Sequence, residues 1–307
     1  MPISDCHITL DAHAQELEKH GTAAFPIACY CENISRNPVP WHWHEDLEAI
    51  VVTEGTLLLG CGREQHTVRA GEGFFINAGT LHGCWDGGAS HCRIHSIVFH
   101  PGLVGGTADS VFFQKYLSPL MENRSSGSLP LSPRIPWQEA VIGHIRSAWE
   151  AVNQEPPGYE FEVRHHLSRI ILLLQGNLPS GGRAVGQKQQ RDTQRIKGML
   201  QFIHGHYPER ITVTEIAQSV SVSESECLRC FRNTLQLTPN QYLRQYRIRQ
   251  AANLLDATSE KISVIAHACG FEDLSFFAKT FRELKGMSPS DYRNRCKEGM
   301  PGTGEDR

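Results

Sequence analysis

The sequence predicts an α+β chain: an amino-terminal β-barrel with flanking helices, then an all-α carboxyl-terminal domain built from two helix-turn-helix units. Three observations carry that prediction. Short β runs punctuated by glycine fill residues 25 to 100, two apolar stripes of 3.6-residue period follow, and one pattern occurs twice near the carboxyl end. In the duplication, Phe231, Arg232, Pro239 and Tyr242 recur as Phe281, Arg282, Pro289 and Tyr292 at an offset of fifty. Ile216 and Ala217 answer to Ile265 and Ala266 at an offset of forty-nine.

At 307 residues the chain is long enough for two cores, and its net charge of −3 conceals an asymmetry. Residues 1 to 178 hold 11 Lys and Arg against 19 Asp and Glu, a net of −8; the remainder holds 19 against 14, a net of +5. A basic carboxyl half suits phosphate contacts, whereas an acidic amino half repels them. The ten cysteines are scattered, no signal peptide opens the chain, and no apolar run approaches 18 residues. These features predict a cytoplasmic protein without a disulfide framework or membrane span.

Residues 1 to 24 are polar and weakly patterned, which predicts a loose arm with a short helix over Ala12 to Lys19. From Phe25 to His100 the runs "LEAIVVTEGTLLLGCG", "QHTVRAGEGFFINAG" and "CRIHSIVFH" predict a sandwich or barrel. Within it, His42 and His44 are two apart and share a face if they lie on a strand, and Glu48 has the same parity. Trp41 and Trp43 have the opposite parity. Gly55 follows, and then Gly71, Gly79 and His82 in "GEGFFINAGTLHGCW".

These spacings resemble the two cupin motifs, in which two His, a Glu and a later His converge inside a small barrel on a divalent metal. The resemblance departs at Arg36, where the first motif begins with Gly, at Asn77 in the usual Pro position, and at Asp86, which replaces the closing Asn. The four ligand positions remain as His42, His44, Glu48 and His82. Such a set suits Fe(II), Mn(II), Ni(II) or Zn(II); the same groups can instead line a pocket for an organic effector without metal.

Past Pro101 the chain is expected to turn helical. Val141, Ile145, Ala148, Trp149 and Val152 form one stripe, and Val163, Leu167, Ile170, Ile171 and Leu174 form the next. These helices either cover the barrel or pair with those of a second subunit. Residues 177 to 190, "NLPSGGRAVGQKQQ", read as a flexible linker.

The boundaries expected are therefore an effector-binding and dimerisation domain over 1–178, a linker over 179–192 and a reading domain over 193–298. The last opens with a helix that buries Ile196, Met199, Leu200 and Ile203. Two helix-turn-helix units follow, over about 213–235 and 262–285. Thr212 and Glu215 are spaced as one capping box, and Ser223 with Glu226 as another. Ile216, Ala217 and Val220 are expected to share one face. Cys227, Cys230, Phe231 and Thr234 fall on the next buried face, so the C-x-x-C reads as packing rather than a zinc or redox motif. In the second unit Gly270 supplies the turn, Asp273 caps, and Phe277, Thr280, Phe281 and Leu284 form the core. Pro239 opens a longer connecting helix.

The segments "ITVTEIAQSVSVSESECLRCFRNTLQLTPNQYLRQYRIRQAANLL" and "KISVIAHACGFEDLSFFAKTFRELKGMSPSDYR" resemble the AraC/XylS transcriptional regulators over residues 193 to 296. That resemblance implies a homodimeric regulator, more often an activator than a repressor. It would bind promoter or operator double-stranded DNA, sense a small-molecule effector, and change operator occupancy or RNA polymerase contact. It places Ser225 and Arg229 at base-facing positions and Arg232 near phosphate. Leu228 shares the outward face of the first reading helix. In the second unit Leu274, Ser275, Ala278 and Lys279 face out, with Arg282 and Lys285 available to phosphates. A metal-dependent cupin enzyme fused to a DNA-binding module is the alternative, and a DNA-bridging structural protein a third. The expectation is a regulator, not an enzyme.

Overall fold

The computed structural model describes residues 20–62, 64–88, 91–123, 128–178 and 187–298. The expected helix over residues 12 to 19 lies outside them. The chain divides into two units, residues 1–197 and 198–307, so the division falls five residues beyond the expected start at 193 and inside a helix.

The first unit contains β1 (Ile27–Asn33), β2 (Val39–His42), β3 (Leu47–Glu54), β4 (Thr56–Cys61), β5 (Glu64–Arg69), β6 (Gly73–Ile76), β7 (His82–Asp86), β8 (Arg93–Phe99) and β9 (Ser128–Leu131). They form two antiparallel sheets in the orders β1-β8-β3-β6-β9 and β2-β7-β4-β5. Among the described residues the hydrogen bonding therefore makes two sheets rather than one closed ring.

Why β3 reads as a continuous apolar run follows from its two buried faces. Leu47, Ala49 and Val51 join a core with Phe75, Ile97 and Phe99 on one side of the larger sheet. Ile50 and Val52 join Leu57, Leu59, Phe74, Ile76 and Ile94 on the other, between the sheets. The even parity that carries Ile50 and Val52 inward also carries Glu48 and, on β8, Ser96. Gly60 of β4 leaves room for an aromatic pair: a Cβ there would meet the Trp41 ring at 2.5 Å, and that ring lies 5.3 Å from Trp85.

After β8 come α1 (Gly102–Gly105), a π-helical turn over Phe113–Leu117 and α2 (Ser118–Glu122). The chain does not stay helical past Pro101, as its composition suggested. Ser128–Leu131 returns as β9 beside β6, because edge pairing satisfies a short backbone segment with little apolar pattern. Next, α3 (Pro136–Gln154) buries its expected stripe against the larger sheet, and α4 (Tyr159–Asn177) buries its own largely against α3 in the same core. Trp149 fixes the docking: its indole Nε1–H donates to the Tyr30 carbonyl at 3.1 Å and its ring stacks on His95 at 3.6 Å. Those stripes are used within the chain and are not available for pairing with a second subunit.

The expected linker is only partly within view. Residues 179–186 lie outside the described ones, while 187–192 form the first turns of α5 (Gln187–His206) rather than a flexible segment. Gln, Lys and Arg in "GQKQQR" are good helix formers, so weak apolar pattern does not preclude a helix there.

The second unit continues with α6 (Val213–Gln218), α7 (Glu224–Leu235), α8 (Pro239–Ala257), α9 (Ile262–Ala268), α10 (Leu274–Lys285) and α11 (Pro289–Glu298). Thr212 and Glu215 form the expected reciprocal capping box. Thr212→Ala should cost about 1 kcal/mol of stability by chemical denaturation, the usual worth of such a cap. A further box, Thr238 with Gln241, starts α8 around Pro239. The turn at Ser221 has φ 54° and that at Gly270 φ 78°. A Cβ on Gly270 would stand 2.7 Å from the Tyr207 carbonyl oxygen, so both conformation and space demand glycine. Helix α8 packs on α6 and α7 and also on α9, α10 and α11, which makes it the common support of the two units. Its Tyr242 and Tyr246 hold His204 of α5, through a 2.8 Å hydrogen bond and a 4.0 Å ring stack.

Two expectations fail locally. Leu284 is 43% exposed instead of buried, since Phe277, Thr280 and Phe281 already complete the face of α10. Ser223 caps α7 by accepting from the Glu226 amide, but the Glu226 carboxylate turns to Arg229 rather than back to the cap.

Candidate metal centre and nucleic-acid interface

His42 and His82 face each other across the β2–β7 ladder, with rings 4.1 Å apart. His44 lies just past β2 in the turn to β3, its ring 5.6 Å from His42 and 5.1 Å from His82. Glu48 comes from the opposite sheet. The four side chains are buried, and one ligand atom from each lies within 4.8 Å of the others.

The tautomers are set by the backbone. His42 Nδ1–H donates to the Pro40 carbonyl at 2.9 Å, His44 Nδ1–H to that of Asp46 at 3.0 Å, and His82 Nδ1–H to that of Thr80 at 2.8 Å. A carbonyl only accepts, so in the neutral rings the lone pair is on Nε2. Those of His82 and His44 meet Glu48 Oε2 at 3.0 and 3.5 Å. Acceptors so placed repel unless a proton or cation stands among them. Ser96 Oγ–H donates to the other carboxylate oxygen, Oε1, at 2.9 Å and orients the group. Burial opposes ionisation of Glu48, but where Nε2 carries a proton the hydrogen bonds and positive charge of His44 and His82 outweigh it and hold the carboxyl well below the ordinary range.

These residues edge a cavity of about 20 Å³, room for little more than one water-sized group. Sequence reasoning missed part of its wall: His20, Tyr30, Glu32 and Cys84 also line it. His20 bonds Tyr30 Oη at 2.8 Å and packs edge-on against His44 at 5.5 Å. The period-2 pattern of β1 contained the signal for Tyr30 and Glu32, which share a face. No local pattern marks His20, which precedes β1. The motif departures are structural. Asn77 Nδ2–H donates to the Leu120 carbonyl at 2.8 Å, and Asp86 accepts from Ser35 Oγ–H and from the Gly88 amide at 2.9 Å.

On α7, Ser225, Leu228 and Arg232 are exposed, as expected of a reading face. Arg229 is half-buried, and its Nε and Nη2 donate to the two Glu226 oxygens at 2.8 and 2.6 Å. On α10, Leu274, Ser275, Lys279 and Arg282 are exposed and Ala278 is half-buried. Lys285 is half-buried, with its ammonium 5.8 Å from the Tyr292 ring. Phe276, 50% exposed at the start of α10, was not singled out by the sequence reading. Its i+1 neighbour Phe277 is buried, and adjacent helical positions face different ways. Cys227 and Cys230 are buried and are not joined in a disulfide. No helix of the described residues is long and apolar enough to cross a membrane.

Two family models match the chain: an AraC-like ligand binding domain over residues 26–139 and a helix-turn-helix domain over 216–295. Over 94% of its length the chain is 28% identical to YdeC, an uncharacterised HTH-type transcriptional regulator of Bacillus subtilis, covering 98% of that protein. It is 24% identical over 92% of its length to the HTH-type transcriptional activator RhaS of Klebsiella pneumoniae, covering 96%. A solved structure of ToxT from Vibrio cholerae aligns over 89% of this chain and 99% of its own, at 10% identity and a TM-score of 0.45.

Proposed function

We propose, for a chain that belongs to the AraC family of helix-turn-helix transcriptional regulators, that its amino-terminal domain is a metal-dependent sensor controlling promoter binding. The observation that carries the sensor reading is the pair of Nε2 atoms, of His44 and His82, turned on Glu48 by carbonyl-anchored imidazoles, with His42 in the same cluster. His42, His44, Glu48 and His82 would hold a divalent first-row ion, which would supply a Lewis-acid anchor for a donor atom of the effector. The cavity of about 20 Å³ accepts a water-sized group beside the cluster, so a larger effector has to displace part of the wall. His20, carried by the segment before β1, is the group least tied to a strand. Displacement of this kind gives the bound and free states different contacts, which ligand control requires. The same narrow cavity favours sensing over turnover of a bulky substrate.

The direction of control is read as activation, in line with the printed role of RhaS, and operation is read as a homodimer. The outer face of α4, with Phe161 80% and Leu172 45% exposed, is the surface assigned to pairing. Light scattering on the full chain should return twice the 34.4 kDa monomer mass at tens of micromolar, and a clean monomer would count against pairing.

At the DNA, Ser225 and Arg229 are assigned to bases on the first unit, and Leu274, Ser275, Ala278 and Lys279 to the second. Arg232, Arg282 and Lys285 are assigned to phosphates, and Leu228 to apolar contact with thymine methyls. Glu226 holds Arg229 in one geometry before DNA arrives. Arg229→Ala should cost roughly 1 to 3 kcal/mol of specific binding and relax base preference. Arg282→Ala should weaken all sequences alike and reduce the salt slope by about 1. Equal specificity ratios for Arg229→Ala and the parent would remove the base-reading assignment. The overall test is selection of genomic fragments by the full-length protein, with and without chelator, at stated salt. Enrichment of a site spanning two adjacent major grooves, altered by metal removal, supports the proposal; enrichment indifferent to metal overturns the sensor half alone.

A further inference from the structure

The first unit has a second imidazole cluster on its helical roof, separate from the barrel. His144 of α3 and His166 of α4 stand with Nδ1 atoms 2.9 Å apart and rings 5.2 Å apart. His165 completes a triangle, its ring 5.3 Å from His166 and 6.5 Å from His144. His144 and His166 are half-buried and His165 is exposed, so the group is reachable from solvent. Neither the family assignment nor the barrel site accounts for it.

We propose that His144 and His166 are the paired ligands of a second metal site, which takes a late divalent ion of the Zn(II), Ni(II) or Cu(II) class and clamps α3 to α4. Imidazole nitrogens bound to one ion at about 2.1 Å stand roughly 3.0 Å apart at a right angle and roughly 3.4 Å apart in a tetrahedron. The 2.9 Å separation is thus close to that of a chelating pair. Two further groups with donor atoms, His165 and Glu162, lie within one helical turn of His166 on α4, and a change of rotamer would bring one of them to the ion. Imidazole suits these ions, and Zn(II) also accepts a carboxylate beside it. The surroundings also favour the neutral, ligand form of both rings. Burial first, then His166, Arg169 and His165, lower His144; burial first, then His165, lowers His166 against Glu162. Arg169 opposes an ion, but it is exposed and can extend into water.

The clamp has a definite structural consequence. The inward faces of α3 and α4 share one core with the larger sheet, so an ion joining them would fix the register of the roof over the barrel. The plain alternative is a hydrogen bond in which one neutral ring donates to the other.

The test uses the full-length protein and the metal salt alone. Zn(II) is titrated into the parent and into a His144→Asn/His166→Asn variant, and bound metal is counted after desalting. The parent is expected to retain one equivalent more than the variant, with the barrel ligands unaltered in both. On the unaltered protein, Ni(II) added beyond one equivalent should broaden the ring resonances of His144 and His166. That measurement decides the matter if the variant fails to fold. Equal stoichiometry in parent and folded variant, or ring signals indifferent to Ni(II), would leave a simple imidazole hydrogen bond and overturn the site.

Discussion

His82→Ala is expected to abolish metal binding at the proposed barrel site, lowering bound metal there from about one equivalent toward none. The imidazole stands 3.0 Å from Glu48 and 4.1 Å, ring to ring, from His42, so it touches two of the other three ligands. Loss of an outer-shell partner alone commonly costs about 10- to 100-fold in metal affinity, and loss of a ligand should exceed that. A second effect compounds the first. Glu48 is buried, and without the proposed ion its carboxylate loses the positive charge that offsets burial, so stability should fall as well. Metal counting by mass spectrometry of the purified chain, together with a denaturant melt, measures both. Unchanged metal content in a folded variant would sink the assignment of His82. Acid should act the same way on the parent. Protons and the ion compete for the same imidazole nitrogens, so metal content should fall progressively on acidification.

Phe281→Ala is expected to be the most damaging single change in the reading unit, destabilising it by roughly 3 to 5 kcal/mol. The ring is fully buried, with Phe277 at 5.7 Å and Tyr292 at 5.5 Å, so it joins α10 to α11. Truncation leaves a void lined by two aromatic rings, which cannot collapse without moving a helix. Thermal melts and DNA binding should both show the loss, while metal in the barrel should be retained. Leu284→Ala, three residues on, is the control: its side chain is 43% exposed and should change stability by little, within about 0.5 kcal/mol. Equal effects at the two positions would mean that the packing of α10 has been misread.

The helical half was highly legible because its determinants are local. Thr212 with Glu215, Asp273, Pro239 and Gly270 each mark a start or turn within four residues, and the apolar period of α7 and α10 named their buried faces in advance. Where reading failed there, a neighbour competed. Leu284 lost its place to a face already filled, and Glu226 chose a guanidinium over the cap. Both choices depend on which partner is nearer, and spacing alone does not rank partners.

By itself, the sequence determined the class of each half, the duplicated reading unit and which four residues, His42, His44, Glu48 and His82, cluster in the first unit. Parity placed His42, His44 and Glu48 on one face, yet the tertiary structure reaches the same convergence differently. His44 is in a turn, and Glu48 belongs to the other sheet. Only the fold decided that Glu48 aims across the gap at His82, that β9 returns to the larger sheet, that His20 joins the cavity wall, and that His144 meets His166. Each of these pairs residues far apart in the chain, through sheet stacking or helix docking. A periodicity of two or 3.6 residues specifies which face a side chain takes, but the partner of that face is chosen by packing.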